Sequence, residues 1–193
     1  MAGLLDLKNH LIFYRSYHFN NTNVTIHLIC IPIILLTAIS MLTPVKLSFI
    51  SLNPLFNLGS LIAWIYGIYY IALDFKVGGI TASILTIFSY FITQVYNQLS
   101  FAGQDNFLKI VIGLHLISWI AQFYGHGIHE KRSPALLDNL LGALVLAPFF
   151  VSFEIAFWFG YKLDLKKSMD NEAGKNIRDF KAKEKARKKA KLQ

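Results

Sequence analysis

The chain gathers imidazole, carboxylate and basic groups in Gly125-His126-Gly127-Ile128-His129-Glu130-Lys131-Arg132-Ser133-Pro134-Ala135, directly after a long apolar run. Five of its six histidines fall inside or against hydrophobic stretches. Imidazole and carboxylate are metal-binding and proton-transfer groups, and placing them at a membrane boundary costs desolvation energy, so they mark a functional site by default. On an α-helix His126, His129 and Glu130 stand at i, i+3 and i+4 and share one face, as ligands from one helix must. Gly125 and Gly127 would let another backbone approach closely, and Pro134 limits the helix.

A coordination sphere needs a second source of ligands, and His18 and His27 supply one. On one continuous helix nine residues would turn them to opposite faces. The polar run Asn20-Asn21-Thr22-Asn23 removes that objection, because it stops one helix and caps the next. The two histidines then converge on His126 if the first and fourth hydrophobic helices pack at one membrane face. His115 lies eleven residues before His126, roughly 16 Å along a helix axis, too far to share an ion with it. It is read as a histidine hydrogen-bonded across helices, with a proton-relay role as the alternative. His10 is read as solvated.

Glu154 is the one acid deep in the last apolar segment, to be paired with Arg132 or a histidine, or to act as a functional acid. Gln122 and Asn139 flank the histidine motif and are candidates either for orienting ligands or for ordinary interhelical bonding. Neutral imidazoles with a carboxylate suit Fe(II) or Zn(II). The single cysteine, Cys30, disfavours iron-sulfur and structural zinc sites and excludes an intrachain disulfide. Two or three histidines, one carboxylate and open positions follow the ligand logic of non-haem iron oxygenases, and lipid-facing helices favour a lipid substrate.

These groups must be positioned by membrane helices. Of the 193 residues 54% are hydrophobic and 16% charged, far from the average for soluble domains. No charged residue occurs over 16–45, 47–73 or 77–104, and each interval exceeds the roughly 20 residues that cross a hydrocarbon core. Such segments are helical, since isolated strands leave backbone groups unpaired in lipid. The chain is therefore expected to be all-α, a polytopic membrane bundle of four to five embedded helices with a basic C-terminal tail. Its domains are expected to be a membrane-embedded unit over 1–161, of which 1–23 is interfacial, and a tail over 162–193.

The first stretch, residues 3–19, carries Leu4, Leu7, Leu11 and Tyr14 at helical intervals and is expected on the membrane surface. Apolar helices follow at about 24–42, 55–73, 80–99, 107–124 and 137–161, one of them re-entrant, kinked or half inserted. Trp64, Tyr66, Tyr69 and Tyr70 read as an interfacial belt. Asp6, Lys8, Asn9 and His10 interrupt any cleavable signal, so the first long apolar helix is expected to direct insertion.

The net charge of +8 is a property of the tail. From Lys162 onward there are 12 Lys/Arg and 5 Asp/Glu, against 7 and 6 before it. That asymmetry predicts a cytosolic C-terminus and attraction to anionic lipid. Nucleic acid is excluded as a partner, because the tail has one aromatic, Phe180, and no stacking platform.

Several blocks together carry a family resemblance. Gly3-Leu4-Leu5-Asp6-Leu7, Tyr17-His18 with Asn20-Asn21-Thr22-Asn23, Ile26-His27 with Pro32, residues 119–127 from Trp119 to Gly127, Glu130 to Leu136, and Leu146-Ala147-Pro148 with Glu154 resemble the fungal endoplasmic-reticulum 2-hydroxy fatty acid dioxygenases. The resemblance covers about residues 3–165. It implies an Fe(II) enzyme of the endoplasmic-reticulum membrane that uses O2 to shorten long-chain 2-hydroxy fatty acids by one carbon, an alpha-oxidation step in phytosphingosine degradation. Matched by position, His18, His27 and His126 are the family-like metal ligands, with Glu130 as the fourth choice. His129 departs from the family pattern and His115 stands outside it.

On this reading the substrate's carboxylate and 2-hydroxyl oxygens chelate the iron. Arg132 or Lys131 pairs with the carboxylate as the lipid arrives, and Glu130 and Arg132 act in catalysis. The acyl chain is expected against Phe149, Phe150 and Phe153. The alternatives are another membrane metal or haem oxidoreductase, a non-enzymatic membrane scaffold of the endoplasmic reticulum, and a transporter. Di-iron hydroxylases and desaturases resemble one another in HxxHH boxes and about eight histidines, and this chain has six histidines and no such box. The ending Lys189-Ala190-Lys191-Leu192-Gln193 resembles a KxKxx retrieval signal, consistent with a cytosolic tail.

Overall fold

Asn20 opens the first long helix as a side-chain cap: its oxygen accepts from the backbone N–H groups of Thr22 and Asn23, and α2 runs from Asn21 to Leu42. Before it, Asp6 caps α1, Leu7–Tyr17, in the same way. The remaining helices are α3 Leu58–Leu73, α4 Phe75–Gln98, α5 Phe101–Tyr124, α6 Leu140–Trp158 and α7 Leu163–Ala190, with a π-helical turn, Gly125–Glu130, continuing α5. The structure is a computed structural model that describes residues 3–134 and 140–191. Asn139 and residues 192–193 of the lysine ending lie outside these. Among the described residues the only β pairing is an isolated bridge between Lys46 and Asn57, so the expected all-α class holds.

Among the described residues three helices are long and apolar enough to cross a membrane: Asn21–Leu42, Phe75–Gln98 and Phe101–Glu130. Leu58–Leu73 and Leu144–Trp158 are apolar but shorter. The expected third and fourth segments begin earlier than the sequence suggests. Asp74 alone separates α3 from α4, capping Lys76 and Val77, and Ser100 caps α5 at Gly103. The α3–α4 corner is tight enough that a Cβ on Gly78 would collide with the Tyr70 carbonyl, so only glycine fits there.

Of the tyrosines expected in the belt, one is part of the core. Tyr70 is fully buried, stacks on Phe149 and donates to the Val145 carbonyl at 2.7 Å. Tyr69 donates to Leu4 and Tyr66 to Leu144. Each hydroxyl satisfies a neighbouring backbone carbonyl. Phe149, Phe150 and Phe153 belong to the same buried core.

The basic C-terminal segment is helical, and its first half is part of the fold. Met169 and Ala173 of α7 are fully buried and α7 packs on α1. Arg15 bonds Asp170 at 3.0 Å and Asn176 donates to Ser16. The face of α1 read as membrane-facing is largely turned inward, with Leu11 and Tyr14 buried and Leu4 exposed.

Asp74 also accepts from Lys162 at 2.6 Å and from the Tyr161 hydroxyl, tying the α6–α7 junction to the α3–α4 corner. Burial pushes its carboxyl up, but the bonds from Lys162, Val77 and Tyr161 outweigh this and hold it below the usual carboxylate range. A depressed folded pKa gives stability that is complete above the unfolded value and is lost as pH falls through the folded one. Asp74→Ala is expected to lower stability at neutral pH by about 1–2 kcal/mol. In detergent melts followed by circular dichroism, the gap to wild type should close as pH falls below about 4. A gap that stays constant with pH would mean that the charge contributes nothing.

Candidate metal centre and its cavity

His18 sits at the C-terminal cap of α1, His27 in the second turn of α2 and His126 in the π-helical turn after α5. Phe19 and Asn20 separate α1 from α2, and α1 delivers His18 against the start of α2. The antiparallel packing of α2 on α5 brings His126 to the same depth. Ring centroids are 4.3 Å apart for His18 and His27 and 4.8 Å for each of these with His126. All three side chains are buried, and one ligand nitrogen from each falls within 4.8 Å of the others. Two nitrogens held at ~2.1 Å on opposite sides of an ion are ~4 Å apart, so the spread is close to that of a coordinated set.

The hydrogen bonds fix which nitrogens face inward. His18 donates from Nδ1 to the Tyr14 carbonyl at 2.8 Å, and His27 from Nδ1 to the Asn23 carbonyl at 2.9 Å, each four residues back along the chain. With the proton on Nδ1, Nε2 of both rings carries its lone pair toward the cluster. His18 Nε2 and His126 Nδ1 are buried without any hydrogen-bond partner. Unpartnered buried ring nitrogens converging on one point are what a bound cation would satisfy. Burial, reinforced by the neighbouring His27 and His126 rings, holds the His18 imidazole well below the usual histidine range, so it is the neutral, ligating form. The donor set therefore fits a divalent transition metal.

The triad closes one end of an apolar cavity of about 300 Å³. One face of α2, from His27 through Ile31, Ile34 and Leu35 to Ala38, forms one wall. One face of α5, from His126 back through Phe123, Gln122 and Trp119 to His115, forms the facing wall. Leu144, Ala147 and Pro148 of α6 cover it.

The sequence profile of a family described as "Mpo1-like: 2-hydroxy-palmitic acid dioxygenase Mpo1-like" matches residues 4–158. The chain belongs to the Mpo1-like family. The Saccharomyces cerevisiae 2-hydroxy-palmitic acid dioxygenase MPO1 is 38% identical to it over 170 residues, 88% of this chain and 91% of the yeast protein. No solved structure matches the chain. All three clustered histidines lie inside the matched segment of this Mpo1-like protein, and α7 lies beyond it.

The other sequence-predicted residues are distributed unequally around the triad. Glu130 turns toward the α1–α2 turn, where its carboxylate accepts from the Phe19 and Asn20 N–H groups and from Asn23 Nδ2. Among the described residues the group able to hold an ion is the three histidines without it. His129 points elsewhere and packs on Tyr124. The i→i+5 bonding of the π turn widens the helix, so residues three apart no longer share a face as they do on an α-helix. Gly125 does permit a close approach, by the Asn23 side chain, whereas Gly127 has open space around it.

Arg132 donates to the Ser16 carbonyl at 2.7 Å, with its guanidinium 3.6 Å from the Tyr17 ring centroid and 4.3 Å from that of Phe180. Lys131 adopts the left-handed conformation that ends the π turn, with φ 54°. Both line a surface recess that meets the histidine cavity at Phe123 and Pro134.

Glu154 pairs with neither Arg132 nor a histidine. Its partner is Arg15 at 4.0 Å, which also bonds Asp170 and the His18 carbonyl. Phe149, Phe150 and Phe153, expected against the acyl chain, do not line the cavity; from α6 Leu144, Ala147 and Pro148 do. Gln122 does line it, and its Nε2 has no partner.

Two residues read from the sequence only as part of the α1 stretch and the capping run orient the ligand rings. Tyr14 and Asn23 orient His18 and His27 through backbone carbonyls, which any residue type provides. Tyr14 also stacks on His18, with centroids 4.0 Å apart.

Proposed function

We propose that this protein is an Fe(II)-dependent dioxygenase that shortens long-chain 2-hydroxy fatty acids by one carbon, with His18, His27 and His126 as its metal ligands. The observation that carries the reading is the convergence of three buried imidazoles at the head of an apolar cavity in an Mpo1-like chain. The yeast relative's name, 2-hydroxy-palmitic acid dioxygenase, supplies the substrate class. Iron fits better than zinc because the reaction requires a redox-active ion, and three imidazoles suit either metal.

The stoichiometry is self-contained: R–CH(OH)–COOH and O2 give R–COOH, CO2 and H2O. The four electrons that reduce O2 come from the substrate, so no separate reductant is consumed. Bound at the triad, Fe(II) would supply the redox partner for O2 and an anchor for the substrate's oxygens. The rest is the work of the chain. Tyr14 and Asn23 fix the ring orientations, and the apolar walls on α2, α5 and α6 hold the acyl chain and exclude water. Lys131 and Arg132, in the recess beside Phe123 and Pro134, attract the carboxylate before it passes inward. Glu130 holds the α1–α2 turn in place.

The protein works in the endoplasmic-reticulum membrane with a cytosolic C-terminus. It meets its lipid substrate from the bilayer, and its product enters the degradation of phytosphingosine-derived acids. Detergent-purified protein is expected to hold one iron per chain and to consume O2 with 2-hydroxypalmitate but not with palmitate. His126→Ala should lose the iron and lower turnover by about 100-fold or more. Normal turnover in that variant, or a wild-type protein without bound metal, would overturn the assignment.

A further inference from the structure

The cavity has a second end, and that end is built as carefully as the first. Ala38 lies eleven residues after His27 on α2, and His115 eleven residues before His126 on α5. Since the two helices are antiparallel, both walls run three turns away from the triad, roughly 16 Å. They finish opposite each other.

His115 is fully engaged there. Trp119 Nε1 donates to its Nε2 at 3.0 Å. An indole N–H only donates, so Nε2 is the acceptor and the proton sits on Nδ1. That nitrogen donates to Thr37 Oγ1 at 2.8 Å, and the Thr37 hydroxyl in turn donates to the Ile33 carbonyl at 2.6 Å. Both ring nitrogens are thereby occupied, leaving none to ligate metal or bind a polar group. What the chain of bonds does is join α2 to α5 and fix Trp119, which also stacks on Phe123. A satisfied polar network of this kind is rigid. Ala38, at the end of the α2 wall, is the smallest side chain along that face.

We propose that Ala38 and the His115–Trp119–Thr37 network form the stop against which the acyl chain's methyl end rests, so that they set the chain-length preference. The assignment rests on the reading of the cavity as the acyl site. It makes His115 a positioning residue that acts through the cavity wall, and it explains why a histidine outside the metal cluster is placed in an apolar seam.

The test uses full-length, iron-loaded protein in detergent and a homologous series of saturated 2-hydroxy acids. Three quantities are measured for each: kcat/KM, displacement of a fluorescent fatty acid, and iron content. Ala38→Phe should keep its iron and turn over short acids as wild type does. Its kcat/KM for long acids should fall by about fourfold for each methylene that no longer fits. Ala38→Val, a smaller intrusion, should move the optimum in the same direction by less and covers the case in which phenylalanine prevents folding. Thr37→Val, which frees His115 Nδ1, should broaden the length profile without loss of iron.

An equal fall at every chain length, or a profile unchanged in both Ala38 variants, would overturn the proposal. Failure of the main reading looks different. A wild-type protein that binds the series but shows no turnover would remove the proposed reaction, and the displacement profile would still report whether Ala38 sets the length.

Discussion

Replacing Gly125 with alanine is expected to remove most of the bound iron while leaving the helical fold intact. A Cβ at this position would lie well inside van der Waals contact with Asn23 Oδ1 and 3.4 Å from Ile26 Cδ1. Asn23 is completely buried and cannot swing away into solvent. It is also in use three times: its carbonyl orients His27, its Nδ2 holds Glu130, and its backbone N–H is bonded by the Asn20 cap. Displacing it therefore moves a proposed ligand, the turn that carries His18, and the start of α2 together. Overpacking of this kind costs about 1–3 kcal/mol, which a bundle of this size tolerates. Misplacing a catalytic group by ~1 Å costs about 100-fold in rate. The expected result is a folded protein with little iron and about 1% of wild-type turnover. Gly127→Ala is the control, since its Cβ would meet nothing within 4 Å. If both variants bind iron equally, the close approach of α2 to α5 is not what holds the site.

The contrast between these two glycines shows what the sequence could and could not convey. Both occupy the same motif and read alike, but only the packing of Asn23 from a helix a hundred residues away distinguishes them. The triad itself was legible because each histidine stands in an apolar setting and because the Asn20–Asn23 run stops one helix and caps the next. His129 was misleading for a local reason. Its spacing implies a shared face on an α-helix, and the chain forms a π turn instead. Glu154 was legible as an acid in need of a partner, yet Arg15 reaches it only because α1 packs beneath α6 and α7. The lysines of α7 concealed Met169 and Ala173, which are fully buried. Phe149 and Phe153, four residues apart, share the helix face that packs on Tyr70 and Tyr161, so their bulk fills the core and smaller residues of α6 line the cavity.

Glu130→Ala is the second substitution with a large expected effect, and it separates two roles that the motif allows. As a fourth ligand, Glu130 would contribute only when metal is present. As a clamp, it acts in the metal-free protein too. The structure shows the clamp: four bonds from the N–H groups of Phe19 and Asn20 and from Asn23 Nδ2, at 3.0–3.3 Å. These donors lie at the N-terminus of α2, where a negative charge is also favoured by the helix dipole. Hydrogen bonds to a charged group contribute about 1.5–3 kcal/mol, so removing the carboxylate should lower the melting temperature of metal-free protein. Iron affinity should fall as a consequence, because the turn it releases sets the spacing of His18 and His27. Glu130→Gln keeps an acceptor oxygen but gives up the charge, and should recover part of both losses. A ligand gives the opposite pattern: metal-free stability unchanged in either variant, with iron lost from both. Measuring the melting temperature of the chelator-treated protein alongside iron stoichiometry therefore decides the role, since a residue that stabilises the empty site is shaping it, whatever it does once metal is bound.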